Sequence, residues 1–273
     1  MGHLISLAHQ TLFPISPPAL VEIAAEAGYD AVGIRLRPSF PGEDPYPMTG
    51  RSVMRAETRR LLFETGVRVL DVEIIRLRPD LIVEDVLPMF EAGADLGATE
   101  VLLQGNDPDE GRMTDMFGQL CDAAAGFGLH LSLEYVIYSE VRSLAQTVRM
   151  IENAGRSNGH IAVDTLHAYR AGTTAGDLAG LDPKLMRYLQ ICDGGAARPD
   201  TMDGLRAEGR AGRLLPGQGV VPLIEMLNAL ERKLPISVET PSSELAKGNS
   251  PLARASMARQ ATMNVLRQAS GQS

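Results

Sequence analysis

Four oxygen-bearing side chains fall at or near the ends of four consecutive short apolar runs. Glu134 closes LHLSLE, Asp164 closes HIAVD, Gln190 lies in RYLQICD beside Asp193, and Glu239 closes PISVE. A single carboxylate in such a place is ordinarily solvated or caps a helix, and Asp164, which precedes a short polar turn, suits a cap. Four in succession point elsewhere. Three carboxylates brought together repel one another and raise one another's proton affinity, and a divalent cation relieves that repulsion. With the Gln190 amide oxygen as fourth ligand, the donor set is all oxygen. Such a set favours one Mn²⁺ or Mg²⁺ ion, with Co²⁺ or Zn²⁺ possible. His167 follows Asp164 by three residues in DTLH and has a proton affinity suited to transfer near neutrality. Its ordinary alternative is a loop histidine bonded to backbone.

The elements that must position these groups alternate along the chain. Strand-length apolar runs at residues 3–8, 30–36, 67–74, 100–103, 129–133, 160–163, 187–191 and 236–238 are separated by segments of helical period. Helices are predicted from Ser16, around 55–64, and over 83–96, 113–126, 141–153, 220–231 and 251–268, with a shorter glycine-punctuated segment at 172–181. Gly28, Gly66 and Gly97 stand where helices should stop. Eight βα units favour a parallel sheet closed into a (β/α)8 barrel, a TIM barrel, and nothing resembles a linker, so residues 1–273 read as one domain. No G-x-G-x-x-G follows the first strand, which weakens a dinucleotide-binding reading. In such a barrel the carboxyl ends of the strands build the active site, so Glu134, Asp164, Gln190 and Glu239 share one rim.

Arginines recur in the loops of that rim: Arg35 and Arg37 after strand two, Arg76 and Arg78 after strand three, and Arg198, Arg206, Arg210 and Arg213 after strand seven. Each alone is ordinarily a surface ion pair. As a group they predict an anionic substrate, since the guanidinium fork matches carboxylate or phosphate. Arg213, Arg35 and Arg210, with Glu73 in strand three, are the candidate substrate contacts. Three ionised carboxylates around a divalent ion keep a net negative charge. An anionic group would therefore need its own binder several ångströms away, and Arg213 is the candidate. The segment 194–212, with Gly194, Gly195 and Gly204, is predicted to be a mobile loop without ligand. The Pro- and Gly-rich stretch 38–50 is a candidate lid or wall.

The net charge of −8 gives no footprint for nucleic acid. No apolar run approaches the ~20 residues that span a bilayer, and no signal peptide is evident, so a cytoplasmic protein is expected. Two cysteines, Cys121 and Cys192, provide neither a disulfide framework nor a thiolate zinc site and read as small buried residues. A homo-oligomer is allowed.

The strand-end pattern, with DTLH, LQICDG and RLLPGQG, resembles the xylose-isomerase-like TIM-barrel superfamily, and within it the sugar phosphate isomerase/epimerase group. The resemblance implies that Glu134, Asp164 and Glu239 bind metal, and that Glu239 doubles as a proton-transfer base. It also implies that His167 completes a D-x-x-H motif and that Arg213, in an R-x-x-P-G-x-G loop, contacts substrate. Catalysis would fall to Glu134, His167 and Glu239, acting on a small polyhydroxylated, anionic substrate through a metal-stabilised enediolate. Gln190 departs from the histidine usual at the fourth metal position and resembles the 3-dehydroshikimate dehydratases of the same superfamily. Dehydration of a cyclic keto acid or keto-polyol is thus the alternative reading, and a non-catalytic binding barrel a remote one. A DNA-cleaving barrel of the endonuclease IV kind needs many histidines and a basic face, whereas this chain has five histidines and is acidic.

Overall fold

Alternation of side chains along each strand decides what enters the barrel. In the computed structural model, which describes residues 2–38, 43, 46–230 and 233–271, eight strands close a parallel barrel in sequence order, β1 pairing with both β2 and β8. They are β1 (Ile5–Leu7), β2 (Ala31–Arg35), β3 (Arg68–Leu77), β4 (Glu100–Gly105), β5 (His130–Glu134), β6 (Gly159–Asp164), β7 (Met186–Ile191) and β8 (Ile236–Val238). Leu131, Leu133, Ile161, Val163, Leu189, Ile191, Ile236 and Val238 all belong to the large apolar core between the strands and the helices. The period of two then turns Ser132, Glu134, Ala162, Asp164, Tyr188, Gln190, Ser237 and Glu239 to the other face, the barrel interior. Ala162 and Tyr188 there join Leu70, Leu102 and Ile74 in a second, smaller apolar cluster beneath the rim.

The helices are α1 (Pro17–Glu26), α2 (Val53–Thr65), α3 (Leu87–Asp95), α4 (Glu110–Ala125), α5 (Leu144–Ala154), α6 (Thr165–Arg170), α7 (Ala175–Ala179), α8 (Met202–Ala211), α9 (Leu223–Asn228), α10 (Ser243–Ala246) and α11 (Pro251–Ala269). Their starts follow local chemistry. Ser52, Asp109 and Ser143 each accept a backbone N–H of the first turn, and each such cap is worth about 1 kcal/mol. The helix predicted over 83–96 is in fact a 3-10 turn (Val83–Asp85) followed by α3, because Pro88 in the first turn of α3 has no N–H to bond the Glu84 carbonyl and so breaks an α-helix begun at Val83. The helix predicted over 220–231 shortens to α9 behind Pro222, and residues 231 and 232 lie outside the described ones.

The predicted mobile loop at 194–212 is corrected by α8, which fills its second half. Thr201 caps α8 through the Gly204 N–H, and Leu205 and Gly209 are buried. Glu208 anchors it by a bidentate pair with Arg170 of α6, at 2.5 and 3.0 Å. Gly194, Gly195 and Gly204 had suggested freedom, yet a Cβ at Gly204 would stand 2.9 Å from the Pro199 Cβ, and one at Gly209 2.6 Å from the Tyr138 Oη and 3.1 Å from the His167 ring. Glycine there permits close approach. The lid or wall read into 38–50 falls in part on residues 39–42 and 44–45, outside the described ones. Among the described residues, no helix is long and apolar enough to cross a membrane.

Candidate metal centre and active site

At the carboxyl end of the barrel, Glu134, Asp164 and Glu239 offer oxygen atoms that all lie within 4.8 Å of one another, and all three residues are buried. β5, β6 and β8 deliver them directly, so no loop has to fold to assemble the group. Asp164 also caps α6, accepting the His167 backbone N–H at 2.9 Å. The cap and the cluster are therefore one residue's two roles. Gln190 on β7 completes the arc. Its Nε2 donates to Glu239 Oε2 at 3.0 Å, while its Oε1 is buried without a hydrogen-bond partner. A buried carbonyl oxygen left unpaired costs about 1–3 kcal/mol, and a cation is one group that would satisfy it. This orphan oxygen, beside three converging carboxylates, fits a divalent ion with oxygen ligands.

The electrostatics agree. Burial, and then the charges of Asp164 and Glu239, hold the Glu134 carboxyl well above the usual carboxylate range. Burial pushes Glu239 up to about 8 against the pull of Arg213. Burial would raise Asp164 too, but Arg213, His167 and the backbone N–H bring it below its ordinary value. Burial, with Arg213 adding to it, lowers His167 to about 4, so the imidazole is neutral. Each glutamate is steadied by an amide: Gln104 Nε2 donates to Glu134 as Gln190 does to Glu239. Both cysteines are buried, and burial pushes each thiol up to about 12, as expected of inert residues.

Arg213 is where the sequence reading needs correction. It does not stand several ångströms from the carboxylates. Its Nη1 donates to Asp164 Oδ2 and lies 3.3 Å from Glu239 Oε2, its Nε donates to the Gly209 carbonyl at 2.8 Å, and its Nη2 is 3.4 Å from His167 Nε2. Three buried carboxylates need positive charge close by, and a guanidinium delivered from the loop after β7 supplies part of it. With Arg213 counted, a divalent ion would balance the cluster, which removes the earlier argument for a net negative centre. The expected effect of Arg213→Ala changes accordingly. Neutral and anionic substrates should both lose about 30-fold or more in kcat/KM, with a measurable change in metal affinity. A loss confined to anionic substrates would restore the original assignment.

The other candidates divide. Arg35, Glu73 and Arg210 line the same cavity as Glu134, His167, Arg213 and Glu239. Arg35 is buried and committed to Glu43 at 3.0 Å and Glu73 at 3.4 Å. Outside the cavity, Arg37 donates to the Asp85 carbonyl, and Arg78 and Arg206 form exposed pairs with Asp80 and Asp203. Asp193 is structural: its carboxylate accepts the N–H groups of Gly194, Gly217, Gly219 and Val221 at 2.9–3.0 Å and so shapes the P-G-Q-G loop. Sequence reasoning missed Gln10, Gln104 and Tyr138, which also line the cavity. Gln104 was discoverable, since it continues the inward alternation from Leu102 once β4 is run two residues further.

A family model described as xylose isomerase-like TIM barrel matches residues 21–264, and the chain belongs to that family. Solved structures similar to it include the IolI protein with a bound zinc atom, at 20% identity and a TM-score of 0.80, covering 97% of this chain and 98% of that one. A fusion of a xylose isomerase-like TIM barrel with 4-hydroxyphenylpyruvate dioxygenase is similar over 98% of this chain and 44% of that longer one, at 17% identity and a TM-score of 0.82. D-allulose 3-epimerase from Methylomonas sp. in complex with D-allulose is similar at 16% identity and a TM-score of 0.71, covering 97% of this chain and 98% of that one. No curated protein sequence matches the chain.

Proposed function

We propose that this chain is a divalent-metal-dependent isomerase or epimerase of small polyhydroxylated carbonyl compounds, moving a proton at the carbon next to the carbonyl. The observation that carries the reading is the buried convergence of Glu134, Asp164 and Glu239 at the barrel mouth. Glu134, Asp164, Gln190 and Glu239 would hold the ion, which when bound supplies Lewis-acid polarisation of the substrate carbonyl. Glu134 and Glu239 move the proton. Each is fixed by a glutamine amide that donates to its carboxylate, which holds the proton-accepting group in place. Neutral His167 lines the cavity and can donate to or accept from a substrate hydroxyl. Enclosure of these groups excludes water and strengthens each interaction. The folds shared with an epimerase bound to D-allulose and with a zinc-bound IolI support this class.

One specific observation favours a second reading, a dehydratase of a cyclic keto acid or keto-polyol: the amide of Gln190 stands in the arc in place of an imidazole. The two readings separate in one experiment. The Mn²⁺-supplemented protein is incubated in D₂O with ketoses, inososes and cyclic keto acids, and followed by proton NMR. Isomerisation or epimerisation introduces deuterium beside the carbonyl with the carbon skeleton fully hydroxylated, whereas dehydration gives an unsaturated product with ultraviolet absorbance. Turnover that persists undiminished in excess chelator would sink both.

A further inference from the structure

A second cleft of about 240 Å³ adjoins the carboxylate cavity and shares Gln10 and Arg210 with it. Its character is opposite. Arg210 and Arg254 line it together with Phe13, Thr11, Ser242 and Ser243, and among the described residues no carboxylate does. Arg254 is half-buried on α11, where its Nη1 reaches the Thr11 carbonyl at 3.3 Å and its Nε is buried without a partner. Among the described residues no carboxylate lies within ion-pair distance of it, unlike Arg35, Arg170 and Arg213. Burial alone lowers its proton affinity, with no neighbouring acid to offset the cost. A guanidinium kept in that position without a counter-charge is prepared for an anion that arrives from solution.

We propose that this cleft is an oxyanion subsite, in which Arg254 and Arg210 bind a phosphate or carboxylate group at the far end of the substrate. The inference rests on the function proposed above in one respect only: it makes the substrate of that centre an elongated acid, with its hydroxy-carbonyl end at the carboxylates and its anionic end between the arginines. The role expected of Arg213 thus passes to a residue on the last helix.

Inorganic phosphate and acetate are suitable probes, because neither depends on the stereochemistry of an unidentified substrate. Each is titrated into chelator-treated protein and followed by calorimetry or by ³¹P and ¹³C line widths. Saturable binding of at least one is expected, with a dissociation constant in the millimolar range or below, and the tighter of the two names the anionic group. Arg254→Ala should weaken it about 10- to 100-fold, the usual result of losing a charge-assisted contact, and Arg210→Ala should weaken it in the same direction. Absence of saturable binding of both anions to the unaltered protein would overturn the subsite, as would an affinity unchanged in both variants. Mn²⁺ titration of the same samples reports separately on the metal centre. Anion binding without Mn²⁺ binding removes the proposed function and keeps the subsite, and the converse removes the subsite alone.

Discussion

Glu239→Gln is expected to abolish turnover and weaken divalent-metal binding by at least about 100-fold while leaving the barrel intact. The substitution removes a ligand charge and the proton-accepting group in one step, and general-base catalysis alone is worth about 10²- to 10⁴-fold. Folding should not suffer, because Gln preserves the volume and takes one acid out of a cluster of three held within 4.8 Å of one another. Arg213 keeps its hydrogen bond to Asp164. In chelator near neutral pH, the variant should unfold at about the same temperature as the unaltered protein, since burial already pushes the Glu239 carboxyl up to about 8 and the cluster loses little charge. A variant that lost activity only because it failed to fold would show a large drop in that temperature. A variant that kept full turnover would remove Glu239 from the mechanism.

The largest expected effect on stability is at Asp193, just past the end of β7 on the same rim. One carboxylate there accepts four backbone N–H groups, from Gly194, Gly217, Gly219 and Val221. Asp193→Ala leaves these donors without their acceptor, at about 1–3 kcal/mol for each that water cannot reach. With two or three in that position, a loss of about 3–5 kcal/mol follows, or roughly 10 °C in Tm for a domain of this size. Gly219→Ala tests the same knot from the other side. Its Cβ would stand 2.1 Å from the Gly194 carbonyl oxygen and 2.4 Å from Asp193 Oδ1, both fixed. The loop also carries Arg213, so both variants should lose activity together with thermal stability. A thermal unfolding curve within 2 °C of the unaltered protein, roughly what ~0.5–1 kcal/mol produces, would mean that the loop is held by something else.

The contrast between Glu239 and Asp193 shows how far the sequence reaches. Both are acids at or just past the end of a strand, and residue type alone does not distinguish them. Period-two alternation does: Leu189 and Ile191 face the helices, so Gln190 faces inward, and Val238 likewise sends Glu239 inward. The ring was legible because it depends only on strand identity and the closure of the barrel. Asp193 lies beyond the last residue of β7, where the alternation ends, and its partners extend as far as Val221, so only tertiary structure reveals its role. Arg213 was misplaced for the same reason: it meets Asp164 across 49 residues of sequence, by a loop path that no local pattern encodes. The helix α8 was missed because Gly194, Gly195 and Gly204 were read as flexibility, whereas Gly204 donates to the Thr201 cap in the first turn of that helix. Gly209, further along it, makes room for Tyr138 and His167.

Metal binding is the point on which these assignments depend most directly. The purified chain, stripped with chelator and titrated with Mn²⁺, can be followed by the electron paramagnetic resonance signal of the free ion. One ion is expected to bind per chain, with that site lost or greatly weakened in both Glu239→Gln and Glu134→Gln. Absence of stoichiometric binding, or equal binding by the unaltered chain and both variants, would contradict a metal held by Glu134, Asp164, Gln190 and Glu239.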